Sequence, residues 1–136
     1  MRQSASVYSS ILVSLVLLLP AAAKPVQQSD SDRKSSPFSG LADYYHHKFY
    51  GRKTASGELL QKEKYTAAHR TLPFGTKVKV TNKRSGKSCV VTINDRGPYT
   101  PGKVIDLSHA AASHLGVLSA GTALVACEIV AEEEED

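Results

Sequence analysis

The sequence predicts a mainly β domain at residues 38–130, a small closed barrel of short strands with one or two short helices. Three observations predict it. Residues 76–82 alternate, with Val78 and Val80 on one side and Lys77 and Lys79 on the other, the two-residue period of a half-buried strand. The turn residues Arg84-Ser85-Gly86-Lys87 lead into a second β-rich run at 88–94, so the two runs make a hairpin. Only one stretch of the domain has the spacing of a helix. Many short strands leave exposed sheet edges unless the sheet closes on itself, which favours a barrel.

The elements follow in order. Residues 41–45, L-A-D-Y-Y, have the aromatic content of a first strand. Thr66-Ala67-Ala68-His69 reads as a short helical turn. The hairpin comes next, then a short strand at Val104-Ile105. The helix follows, with Leu107, Ala111, Leu115 and Leu118 near helical spacing, Ser108 as its N-cap and Gly116 as its stop. Residues 123–130, A-L-V-A-C-E-I-V, form the closing strand.

The flanks differ from the domain. Arg2, the apolar run 11–19, Pro20 and Ala21-Ala22-Ala23 read as a signal peptide over 1–23. That run is shorter than the about 20 residues needed to cross a bilayer, so no stable membrane insertion is expected after cleavage. No cysteine lies near the cleavage site, so no lipid anchor is expected. Residues 24–37 are polar and form a flexible linker, and 131–136 form an acidic tail. The expected location is the periplasm or cell envelope, and the expected state is a monomer.

Charge is uneven. The chain carries +4 in all, but residues 38–130 hold 13 Lys and Arg against 6 Asp and Glu, a balance of +7. A basic exported domain suits an acidic polymer, and export disfavours nucleic acid as a partner. The two cysteines, Cys89 and Cys127, are expected to form one disulfide in an oxidising compartment. The five histidines lack metal-ligand spacing, and there is no phosphate loop or serine-nucleophile elbow. No metal and no cofactor is expected.

Three segments, taken together, resemble the rare lipoprotein A (RlpA) family of lytic transglycosylases. They are G-L-A-D-Y-Y-H-H-K-F-Y-G-R-K-T-A-S-G-E from Gly40, T-A-A-H-R-T-L-P-F-G-T-K-V-K-V-T-N from Thr66, and V-T-I-N-D-R-G-P-Y from Val91 with V-I-D-L-S-H-A-A-A from Val104. Their order and spacing span essentially the whole domain. The resemblance implies a six-stranded double-psi β-barrel, shared with expansins and barwin-like proteins. It also implies cleavage of peptidoglycan glycan strands, preferably free of stem peptides.

In that family the functional side chains are the aspartate of N-D-R-G-P, the histidine of T-A-A-H and the glutamate of A-S-G-E. They are Asp95, His69 and Glu58 here. The family pattern has a further acidic residue three positions after the glutamate, where this chain has Gln61 with Glu63 close by.

A lytic transglycosylase breaks the MurNAc–GlcNAc bond without water. An acid protonates the leaving oxygen, and the C6 hydroxyl of the same sugar closes a 1,6-anhydro ring. One carboxyl group can serve both steps, whereas a hydrolase needs two opposed carboxyls. A single Asp95 therefore fits transglycosylation. To act as an acid near neutral pH it needs a pKa well above about 3.9, which burial or a nearby carboxylate such as Glu58 supplies. Tyr44, Tyr45, Arg96 and Tyr99 are candidate substrate-binding residues, with Phe49 and Tyr50 as further aromatic faces. Asp106, just before the helix, reads as structural. The alternative function is a non-catalytic, expansin-like glycan-binding or wall-loosening module, which Gln61 favours.

Overall fold

The computed structural model describes residues 36–131 together with Ser14, Val16 and Ala22. The rest of the 1–23 signal segment, 24–35 of the linker and 132–136 of the tail lie outside the described residues. No helix among the described residues is long and apolar enough to cross a membrane.

Six strands close into one barrel. They are β1 Phe38–Tyr44, β2 Thr66–Ala68, β3 Lys77–Asn82, β4 Ser88–Asp95, β5 Lys103–Leu107 and β6 Ala123–Ile129, in the spatial order β1-β5-β2-β4-β3-β6. β6 pairs antiparallel with β1 and so closes the ring. Two of the neighbouring pairs, β1 with β5 and β2 with β4, are parallel. Two short helices, α1 His109–Leu115 and α2 Val117–Ala120, follow β5. The expected fold class, a mainly β six-stranded barrel with short helices, is the one observed.

The core follows from strand parity. Val78, Val80, Val91, Ile93, Ile105, Leu107 and Val125 are all fully buried and face the barrel axis. Burying each such side chain contributes about 1.5–3 kcal/mol. Ala111, Ala112 and Leu115 bring the apolar face of α1 into the same core. Ser108 caps α1 by accepting from the Ala111 amide at 3.4 Å, and Gly116 ends it in the left-handed region at φ 75°. The buried Asn82 amide donates to the Leu115 carbonyl at 2.8 Å, satisfying one carbonyl that a helix end leaves open.

Two expectations need correction. Thr66-Ala67-Ala68 is not a helical turn but β2, bonded on one side to β4 and on the other to β5. The helix preference of alanine is worth under about 1 kcal/mol per residue, and ladder bonds on both sides outweigh it. Ala67 and Ala68 are buried at 0% and 1% exposure, so small side chains are what this position between two strands accepts.

The expected disulfide is the second correction, because Cys89 and Cys127 are both free. Val80 of β3 pairs with Cys89 on one side and with Cys127 on the other. Two inter-strand spacings put the cysteine Cα atoms about 10 Å apart, beyond the roughly 7 Å limit for a bridge. Burial pushes the Cys89 thiol up to about 11 and the Cys127 thiol up to about 12, so both are poor nucleophiles at neutral pH. The chain purified without reductant and then denatured is expected to titrate two thiols with a thiol-reactive dye. Zero thiols would show a bridge and a different β3 register.

Candidate active site

The candidate site lies on one outward-facing rung of the barrel. Inward residues Ala42, Ile105 and Ala67 alternate with outward ones along β1, β5 and β2. Asp43 pairs with Asp106, Asp106 with Ala68, and Ala68 with Asp95. Directly paired residues share a face, so three carboxylates and one methyl group lie in a row across four adjacent strands. Residues 38–130 contain three aspartates, and all three are in this row. In a domain that is basic overall, such grouping gives up favourable charge pairing, which points to function more than stability.

Local irregularity aims Asp95. The β2–β4 register slips between Ala67 and Ala68, so Asn94 is bulged out of the pairing and Asp95 comes opposite Ala68. Bulges of this kind re-aim side chains next to active sites. The chain then turns at Gly97, whose φ of 120° an L residue rarely adopts.

Three donors hold the Asp95 carboxylate. The Tyr45 phenol donates to Oδ2 at 2.6 Å, and the amides of Ala55 and Arg96 donate to Oδ1, each at 2.9 Å. Burial first, then the bond to Asp95, pushes the Tyr45 phenol far above its usual range, so it stays a donor across the working pH range. The Ala55 amide belongs to the turn 54–58, closed by Thr54 N to Glu58 O at 2.7 Å and joined to β4 by Ser56 N to Asn94 O at 3.2 Å.

Asp106, which the sequence places just before the helix, lies on the same rung. It lies outward between inward Ile105 and Leu107, and its Oδ2 faces Gly97, 3.8 Å from where a Cβ there would sit. Burial, then Asp43, raises its pKa to about 6; Lys103 opposes this and Asp95 adds to it. Lys103 is itself ion-paired with Asp43. The signal was present: a lone aspartate between apolar residues in V-I-D-L is outward on a strand that continues past Ile105.

The other expected site residues are placed as follows. His69 does not bond the Asp95 side chain. Its Nδ1 accepts from the amides of Thr71 and Leu72, both at 3.1 Å, and its ring lies against Phe38, with centroids 4.9 Å apart. Burial, then Arg96 and Arg70, lowers its pKa and so favours the neutral ring. Its backbone amide donates to the Asp95 carbonyl at 3.2 Å. Glu58 is exposed on the lip, and it is its backbone that ties the 54–58 turn. Gln61, at the position of the family's second acid, is exposed as well.

Tyr45 is in the site. Tyr44, one residue earlier, has opposite parity and packs on the core. Arg96 donates through Nη1 to the carbonyls of Leu72 at 2.7 Å and His69 at 3.2 Å, and stacks over Phe74 at 4.0 Å. It pins the 69–72 turn to β4. Tyr99 is 75% exposed. Phe49 and Phe74 are also exposed, and Phe49 touches the Tyr45 ring edge-on at 6.5 Å. No metal-binding group of His, Cys, Asp or Glu occurs among the described residues.

The family described as lytic transglycolase matches residues 38–127, the whole barrel but for its last residues. The chain belongs to the lytic transglycolase family. A relative from Synechocystis sp., a probable endolytic peptidoglycan transglycosylase RlpA, is 49% identical over 118 residues, covering 85% of this chain and 37% of the relative. The endolytic peptidoglycan transglycosylase RlpA of Vibrio cholerae is 52% identical over 92 residues, covering 68% of this chain and 35% of the relative. The chain thus spans about a third of the length of these curated relatives. A Clavibacter michiganensis expansin variant solved in complex with cellohexaose superposes with a TM-score of 0.58 at 18% identity, covering 74% of this chain and 54% of that one. This likeness shows the fold, and the family's double-psi barrel is the architecture described above.

Proposed function

We propose that this chain is a peptidoglycan lytic transglycosylase, cleaving the MurNAc–GlcNAc bond of glycan strands with formation of 1,6-anhydroMurNAc. One observation carries the reading. Asp95 is fixed by three donors on an outward rung, beside a second carboxyl group of raised pKa and with exposed Tyr99, Phe49 and Phe74 nearby. A held carboxylate beside a protonatable carboxyl suits proton transfer to a glycosidic oxygen and stabilisation of the charge that forms on the sugar. Exposed aromatic faces suit sugar rings. The names of the relatives point to the same polymer.

The mechanism needs no water. A carboxyl group protonates the leaving oxygen, the C6 hydroxyl closes on C1, and the released proton returns to a carboxylate. The +7 balance of the domain draws an acidic wall polymer to the surface. The apolar run 11–19 and the small residues after it support export to the cell envelope, with the chain acting there as a monomer.

The test is a digest of intact and of peptide-stripped peptidoglycan with the chain, followed by mass spectrometry of the products. New 1,6-anhydroMurNAc ends, more of them from stripped strands, are expected. Gln61 supports the second reading, an expansin-like glycan-binding module. Retention of glycan with no new ends would establish that reading in place of the enzyme.

A further inference from the structure

We propose that the basic segment 46–53, beside the carboxylate rung, is a subsite for the free lactyl carboxylate of a MurNAc residue. Holding that group sets the register in which a glycan strand crosses Asp95. The proposal rests on the lytic reading above and names the form of glycan that the site takes.

Backbone bonds place the segment at both ends. The Tyr45 amide donates to the Leu107 carbonyl of β5 at 3.0 Å. The Gly51 amide donates to the Leu60 carbonyl at 2.9 Å, and the Leu60 amide donates to the Arg52 carbonyl at 2.8 Å. Leu60 is buried, so this end is anchored to the body of the domain. Between the ties lies a single 3-10 turn, His47–Phe49, none of whose residues is buried. A turn that buries nothing adds little to the core, and its side chains stay available to a ligand.

Those side chains form one cluster next to Asp95. Phe49 is 39% exposed and meets the edge of Tyr45, the residue whose phenol holds Asp95. Lys48 Nζ lies 5.2 Å from the centre of the Phe49 ring, and Arg52 Cζ lies 5.8 Å from it. The ring quadrupole keeps both cations close. Neither has an acidic partner. Residues 44–57 contain no Asp or Glu, and the one ion pair among the described residues joins Lys103 to Asp43.

An exposed ring carrying two unpaired cations fits a sugar face joined to an anion. The apolar face of a pyranose packs on an aromatic ring, and ammonium and guanidinium groups form charge-assisted hydrogen bonds to a carboxylate. MurNAc offers both, a pyranose and a lactyl ether on O3 that ends in a carboxyl group. In a strand without stem peptides that group is a free carboxylate. Under a stem peptide it is an uncharged amide, and GlcNAc has no such group.

The position of the cations matters for the reaction. The rung gathers Asp43, Asp95 and Asp106, which repel an anionic strand, and Lys48 and Arg52 offset that repulsion beside Asp95. The lactyl groups occur on alternate sugars. Holding one of them therefore fixes which sugar offers C1 to Asp95, so that it is MurNAc, with its C6 hydroxyl available for ring closure, and not GlcNAc.

The test measures binding of end-labelled glycan strands to the native full chain by fluorescence anisotropy, in the cold and over times short against turnover. Three forms of strand are compared: with free lactyl carboxylates, with those carboxylates capped as methylamides, and with stem peptides kept. Free-carboxylate strands are expected to bind about tenfold more tightly than capped ones, with the ratio shrinking as salt rises. In the double variant Lys48→Gln, Arg52→Gln the ratio is expected to fall below about twofold. Both side chains are exposed, so the fold is kept. Lys87→Gln, on the exposed β3–β4 turn, is the control and should keep the native ratio.

Equal binding of free and capped strands by the native chain would overturn the proposal, as would a native ratio that persists in the double variant. Either result leaves the lytic reading intact, since anhydro ends decide that separately. Peptide-bearing strands that bind like capped ones support the lactyl group as the source of the anion. If they bind like free-carboxylate strands, the anion comes from the peptide and the lactyl assignment falls. No anhydro ends from the native chain, with the binding ratio kept, would overturn the lytic reading and the register drawn from it.

Discussion

Replacing Asp95 by Asn is expected to lower kcat about 10³-fold while glycan affinity stays within about threefold. The substitution keeps the size of the side chain but removes its negative charge. It also turns one acceptor oxygen into an amide donor, which must face either the Tyr45 phenol or the amides of Ala55 and Arg96. Charge stabilisation acts on the oxocarbenium-like state and much less on bound glycan, so the loss falls on kcat. Tyr45→Phe removes one donor of three and should lose less, about tenfold, because the two backbone amides still hold Oδ1. Single-turnover kinetics with a labelled glycan separates the two effects. Equal losses in kcat and in affinity for Asp95→Asn would make Asp95 a binding residue.

The largest effect on stability is expected from Ile93→Ala. Ile93 is fully buried in β4, two residues before Asp95, and pairs with Ala67. Its backbone amide donates to Thr76 O at 2.9 Å and its carbonyl accepts from Gly75 N at 2.8 Å, so the backbone there is held in place. The void cannot collapse easily, because Ala67 is already small. Such a truncation costs about 2–5 kcal/mol. In a domain of this size each kcal/mol shifts Tm by about 4–8 °C, so a fall of at least about 10 °C is expected. Differential scanning calorimetry measures it. A loss under 1 kcal/mol would mean that the side chain does not lie in the barrel axis.

The legible part of the fold was the part with local periodicity. The 76–82 and 88–94 runs became β3 and β4 within a residue at their ends, since alternation, turn residues and hairpin closure act over short distances. The N-cap Ser108 and the stop Gly116 bounded α1 for the same reason. β2 was not legible. Three residues of Thr and Ala carry no period, and what makes them a strand is the pairing with β4 and β5, which are distant in sequence. The disulfide expectation failed for the same reason, because an even cysteine count says nothing of the strand that lies between the two.

The sequence by itself determined the barrel class, the basic balance of residues 38–130, and the family through its three motifs, because these depend on composition, local period and spacing. The tertiary structure alone decided the membership of the carboxylate rung. Asp43, Asp95 and Asp106 are up to 63 residues apart in the chain, from 43 to 106. They meet because β1, β5, β2 and β4 are neighbours in space, and because a bulge at Asn94 brings Asp95 into line. Burial and like charge then raise Asp106 above the ordinary carboxylate range, and both depend on which chains lie next to it rather than on the residue itself.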